Sequence, residues 1–281
     1  MIKEITIDRI TNLVEKLCIE ANCQLPGDIC DALKTSQPVE KSTLGKDILH
    51  TLLENATIAR EENSPICQDT GLTVVFVTIG QDVHIAGGSI EDAINEGVRR
   101  GYEKGYLRKS VVRDPIDRVN TQDNTPAVIH YEIVPGKDLH IVVAPKGFGS
   151  ENMSRLCMLK PSQGLEGVKD FVIQTVSAAG SNPCPPIIVG VGIGGTMEKS
   201  ALLSKKALLR PIHEKNTNPA LAELEDELLG SINKLGIGPA GFGGTTTALS
   251  VNILTYATHI AGLPVSVNIG CHATRHAEGY L

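Results

Sequence analysis

Tryptophan is absent from the chain, and aromatic residues make up only 3% of its 281 positions. Single-stranded nucleic acid is gripped by stacking on such rings, so that role is excluded. An excess of basic charge is missing too: 26 Lys and Arg stand against 32 Asp and Glu. Duplex nucleic acid and anionic membrane surfaces both select a basic patch, and neither is an expected partner. No apolar run approaches the ~18 residues that a membrane-spanning helix needs. The first ten residues, MIKEITIDRI, alternate charge with apolar side chains and do not form a secretory signal. A cytoplasmic protein is expected.

What is present is cysteine, seven residues of it, an odd number. Without an export signal these read as reduced thiols rather than a disulfide framework. Cys18 falls on the apolar face of a predicted helix, and Cys157 lies between Leu156 and Met158. Together with Cys23 and Cys30 they read as small apolar filler. Three others differ. Cys67 sits in PICQDTG, Cys184 in SNPCPP and Cys271 in NIGCHATRH, each where an apolar element begins or ends. On spacing alone they are either unrelated thiols or ligands of one centre. Three thiolates and an open position suit a metal centre that binds substrate, whereas a structural zinc site closes with four ligands. Soft thiolates favour an iron–sulfur cluster or zinc. His272 and His276 follow Cys271 at a spacing that, on a helix, shares one face, so a zinc site also stays open.

Apolar periodicity predicts helices over 7–22, 42–62 with Ser42 as cap, 164–180, 196–209 and 218–234. Another runs from Ser89 to about 106, opened by Ser89 with Asp92. Strands are predicted at 72–79, 83–86, 127–134, 138–145 and through PIIVGVGIGG, with further apolar segments at 247–258 and 263–269. The PGK between the third and fourth reads as a hairpin turn, and 108–125 as a surface loop. No repeat or linker divides the chain. The expectation is one mixed α and β (α+β) domain over 1–281, helix-rich with a small β-sheet.

Two glycine motifs look like nucleotide sites. GVGIGG at 190–195 matches G-x-G-x-x-G, but no strand precedes Glu214, the acidic residue at the required distance. It reads as a turn that lets strand and helix pack closely. GPAGFGGTT at 238–246 lacks a phosphate-loop lysine. Its backbone N–H groups are still suited to gripping an anion such as a carboxylate.

Taken together, PICQDTG, KGFGSENMSRL, SNPCPPIIVGVGIGGTMEKSALLSKKALLRPI and GPAGFGGTTTALSVNI resemble the α subunits of class I fumarate hydratases and the related L(+)-tartrate dehydratases. The likeness runs from about residue 10 to the end. It implies cluster-binding loops carrying a [4Fe–4S] cluster with one open iron, held by Cys67, Cys184 and Cys271. It implies substrate contacts from Gln68, Arg108 and the backbone at Gly149, and catalytic roles for Asp69 and His259. Whether that pair or a hydroxyl of a partner removes the carbon-bound proton stays open. A separate β subunit, the swivelling C-terminal-type domain of fused relatives, would complete the site, in an α2β2 assembly. The implied reaction is reversible hydration of the dicarboxylate fumarate to (S)-malate. Dehydration of L(+)-tartrate to oxaloacetate is the near alternative, and a non-catalytic iron–sulfur sensor a distant one.

Overall fold

The computed structural model describes residues 2–281. The chain opens with β1 (Lys3–Thr6), α1 (Ile7–Cys23), α2 (Gly27–Val39) and α3 (Thr43–Glu62). Next come β2 (Leu72–Gly80), β3 (Val83–Ala86), α4 (Ile90–Lys104), β4 (Val128–Val134) and β5 (Leu139–Lys146). A single turn, α5 (Phe148–Glu151), leads to β6 (Arg155–Leu159) and α6 (Gly164–Ala179). The remainder is β7 (Ile187–Gly194), α7 (Met197–Ala207), α8 (Pro219–Asn233), β8 (Ala248–Tyr256), β9 (Leu263–Gly270) and β10 (Ala277–Tyr280). The class is mixed α and β, as the periodicities indicate. Its strands form two four-stranded sheets and a two-stranded one, more sheet than expected. Two compact units emerge: one from the chain up to Pro26, Ala56–Phe148 and Arg275–Leu281, the other from Gly27–Asn55 and Gly149–Thr274.

In the first unit, α1 buries Ile10, Val14, Leu17, Cys18 and Ala21, the 3.6-residue stripe read from the sequence. The Ser89 hydroxyl accepts the Asp92 N–H and starts α4, which buries Ile94, Val98 and Tyr102. Both helices pack with the four-stranded sheet β10-β5-β2-β4 around one core. The expected hairpin of β4 and β5 does not form. β2 lies between them, parallel to β4 and antiparallel to β5. LTVVFVTIG is apolar on both faces, and such a strand belongs in a sheet centre. β4 keeps Val128, Tyr131, Glu132 and Ile133 exposed and takes the edge. The PGK segment therefore spans the end of β2, tied there by N–H donation from Gly80 to Asp138 O, Gln81 to Val134 O and Asp82 to Gly136 O.

The second unit is built on the sheet β6-β9-β7-β8. Ile187, Val189 and Val191 of β7 share a core with Val172 and Val176 of α6 and Leu224 and Leu228 of α8. Alternation turns Gly190 and Gly192 to the other face, against α7. A Cβ on either would lie 2.1 Å from a carbonyl oxygen of α7, that of Ser204 or Ser200. GVGIGG is thus the close-packing device that the sequence reading favoured over a dinucleotide site.

The N–H groups of GPAGFGGTT do grip a carboxylate, and it is the chain's own. Glu40, 1% exposed, accepts the Ser42 and Thr245 N–H at 2.9 Å and the Thr246 N–H at 2.7 Å. Burial alone would raise its pKa, but these donors outweigh that and pull it down to about 2. A depressed carboxylate pKa contributes stability above the unfolded value of 4.5, lost as pH falls through the folded one. Glu40→Gln is therefore expected to cost on the order of 3 kcal/mol at pH 7. In urea titrations the gap from wild type should close between about pH 4.5 and 2. A gap independent of pH would contradict this.

Candidate active site

Residues 64–71 form a loop between α3 and β2, and its polar atoms are held from several directions. Asp69 turns back on itself: Oδ1 accepts the Gly71 N–H at 3.0 Å, while Oδ2 accepts the Phe148 N–H at 2.9 Å. The Cys67 thiol donates to Gln68 Oε1 at 3.3 Å and its sulfur accepts the Asp69 N–H at 3.4 Å. The Thr70 hydroxyl donates to the carbonyl of Arg108 at 2.9 Å, which places that arginine's backbone beside the triplet. The Arg108 side chain is exposed.

Beneath the loop stand residues that sequence reasoning missed. Arg275, 4% exposed, donates to Asp69 O at 2.7 Å and to Asn22 Oδ1 at 3.2 Å. Asn22 O accepts the Ile66 N–H. Tyr102, fully buried, donates to Thr70 O at 2.6 Å. No local pattern signals these roles, because each partner is a backbone carbonyl or an amide far away in sequence. Tyr102 stays a neutral donor: burial first, then the nearby Cys18, pushes its phenol well above the usual range.

The second unit carries Gly149, Cys184, His259 and Cys271. Cys184 is exposed and its backbone is left-handed, φ 54°, a region costly to a residue with a Cβ. Cys271 ends β9. The two thiol loops meet through His272, which donates its backbone N–H to Cys184 O at 3.3 Å and places its ring Nδ1 3.0 Å from the same atom. That contact, with residues 272–276 in turn and coil, removes the helical face on which His272 and His276 were expected to present a zinc site. Gly149 lies in α5, exposed, where a Cβ would meet only Asn182 O at 3.5 Å.

His259 is exposed rather than a core residue. Its Nδ1 accepts the Ala261 N–H at 3.1 Å, so the neutral ring carries its proton on Nε2. It lines an open cleft of about 470 Å³ with Thr196, Lys199 and Tyr256. Cys18 and Cys23 are buried, and burial raises both thiols, with Glu15 adding for Cys18 and Arg275 opposing for Cys23. They suit packing, not ligation. Among the described residues no three His, Cys, Asp or Glu side chains form a group that could hold a metal ion. Nor is any helix long and apolar enough to cross a membrane.

The sequence model of the family described as fumarate hydratase (Fumerase) matches residues 11–280. The chain belongs to this family. Its members are hydro-lyases, and relatives align over nearly the full length of both chains. A protein of Methanocaldococcus jannaschii named "Putative L(+)-tartrate dehydratase subunit alpha" is 44% identical over 275 residues, 96% of this chain and 96% of its own. "L(+)-tartrate dehydratase subunit alpha" of Escherichia coli strain UTI89 is 37% identical, covering 97% of this chain and 91% of its own. The same-named protein of strain K12 is 36% identical with the same coverage. Relatives in the fumarate hydratase family thus bear the names of α subunits.

Proposed function

We propose that this chain is the α subunit of a [4Fe–4S]-dependent hydro-lyase that hydrates fumarate reversibly to (S)-malate. A separate β subunit completes the active site, in a cytoplasmic α2β2 assembly. The observation that carries the reading is the fixed turn Cys67–Gln68–Asp69 tied to the backbone of Arg108: thiol, amide, carboxylate and guanidinium on one braced loop system.

The donor set fits a cluster. Cys67, Cys184 and Cys271 are outside the core and in no disulfide, and the last two share a contact through His272. Thiolates are the usual ligands of iron–sulfur clusters. These three would hold it, and its open iron would supply a Lewis acid for the substrate's hydroxyl oxygen.

The chain's own residues do the rest. As a ligand Cys67 would be a thiolate, which would leave Gln68 Oε1 without its present donor and open to a substrate hydroxyl. Arg108 offers a planar fork to a carboxylate. Asp69, with each oxygen already holding one N–H, is fixed as an acceptor at a set angle, and His259 carries an exchangeable proton on Nε2; they are the proton-handling pair. Gly149 presents backbone to the substrate. Because a Cβ there meets no clash within the chain, Gly149→Ala is expected to leave the melting temperature unchanged or slightly higher. Its KM should rise by roughly tenfold, the equivalent of about 1.4 kcal/mol of binding. A fall in stability with KM intact would show that the glycine serves packing.

Arg108 has no acidic partner among the described residues. Arg108→Lys keeps the charge and loses the fork. kcat/KM should drop by roughly two orders of magnitude, with thermal unfolding unmoved. Equal activity would return Arg108 to an ordinary surface role.

Dehydration of L(+)-tartrate to oxaloacetate is the second reading, the reaction for which the α-subunit relatives are named. Turnover of fumarate and L-tartrate by the reconstituted α and β chains separates the two. Faster fumarate consumption supports the proposal; tartrate turnover without fumarate turnover replaces it.

A further inference from the structure

The loop 238–246 has two ends, and both are engaged. At one end it closes on Glu40. Thr245 and Thr246 donate their N–H groups to that carboxylate, and Gly244 is so close that a Cβ would lie 2.6 Å from Glu40 Oε1. At its other end it touches the segment that presents Cys184. The Ala240 N–H donates to Pro185 O at 2.8 Å. Gly241, at φ 80°, lies against Ser181, where a Cβ would stand 2.2 Å from the Ser181 Cβ. The Cys184 N–H in turn donates to Ser181 O at 3.0 Å, and the Cys184 carbonyl accepts from His272, next to Cys271. Every residue in this relay belongs to the second unit.

Glu40 itself is anchored. Its N–H donates to Ser36 O at the end of α2, and Asp28 at the start of α2 accepts the Ile212 N–H at 2.8 Å. The carboxylate is thus a fixed anion in a cradle of backbone donors, a place where other proteins bind an external anion. A neutral amide in its position would turn an N–H₂ group toward at least one of those donors.

We propose that Glu40 is a positioning residue, whose buried carboxylate locks the loop 238–246 as the support that holds Cys184 in its left-handed, exposed conformation. The relay stands on the contacts alone. Its functional meaning, a ligand loop kept in shape for the cluster, rests on the proposed hydro-lyase reading.

The test is amide hydrogen exchange on the full α chain, wild type against Glu40→Gln. The Ala240, Cys184 and His272 amides should exchange about tenfold faster in the variant, while the Val189 and Val191 amides of β7 stay slow. Leu228→Ala, a core change that removes none of these hydrogen bonds, serves as control and should not accelerate those three selectively. Acceleration confined to Ser42, Thr245 and Thr246 would overturn the proposal, since it would show that the loop end does not communicate with Cys184. If Glu40→Gln does not fold, Thr246→Val removes the hydroxyl contact to Glu40 while keeping the side-chain shape and is judged by the same three amides. Iron release to a chelator from the assembled α and β chains gives a second readout, expected to be faster in Glu40→Gln. A wild-type assembly without iron or sulfide overturns the cluster reading and leaves the exchange criterion intact. Full iron together with unresponsive amides overturns the positioning role alone.

Discussion

Cys184→Gly is expected to make the isolated chain more stable while making the enzyme inactive. Cys184 sits at φ 54°, where a Cβ-bearing residue pays about 1 kcal/mol and glycine almost nothing. Its thiol is exposed, so little apolar burial is lost in exchange. Urea unfolding should therefore move in the stabilising direction by about 1 kcal/mol. Removing one of three thiolates should lower bound iron from about four per αβ unit to below one, and turnover with it. Strain retained at an exposed cysteine agrees with a ligand position, and the iron content decides it. A destabilised variant would mean that the thiol is a packing element. Unchanged iron would remove Cys184 from the ligand set.

Asp69→Asn is the second large effect. General acid–base groups are worth roughly two to four orders of magnitude in rate, and kcat is expected to fall by that amount. Stability should fall too. Both carboxylate oxygens accept backbone N–H groups, from Gly71 and Phe148, and an amide turns its own donors toward one of them. That mismatch costs about 1–3 kcal/mol. The decisive comparison is between kcat and cluster content. Iron near the wild-type level with kcat reduced a hundredfold or more marks a residue that handles a proton. Iron and kcat falling together mark one that only shapes the turn. Arg275, which holds the Asp69 carbonyl from below, is the complementary case: its role is to keep the triplet in place, not to meet substrate.

The parts of the fold written in local periodicity were legible. The stripe of α1, the serine cap of α4 and the apolar runs of β2, β7, β8 and β9 are all patterns written within one short segment. GVGIGG could be told from a dinucleotide fingerprint because the acidic partner strand was missing, and α7 packed on Gly190 and Gly192 explains the glycines. Pairing between distant segments was not legible. β4 and β5 look like a hairpin until β2 claims the place between them. β10 finds its partner only in β5, well over a hundred residues earlier, and β1 only in β3. For the site, the residue types and their loops could be read, but their supports could not. Tyr102 and Arg275 act on carbonyl groups of the loop and Asn22 holds it through its own carbonyl, contacts that leave no trace in sequence. The same holds for Glu40. The glycine loop advertised an anion cradle, but nothing local said that the anion was covalently part of the chain.

One measurement bears on the central claim most directly. The α chain and its candidate β partner are produced together without oxygen, and iron, acid-labile sulfide and fumarate consumption are assayed on the same sample. The account predicts about four irons and four sulfides per αβ unit, with fumarate consumed only when both chains are present. Absence of sulfide would contradict it outright, and a full cluster with neither fumarate nor L-tartrate turnover would leave an iron–sulfur protein that is not a hydro-lyase.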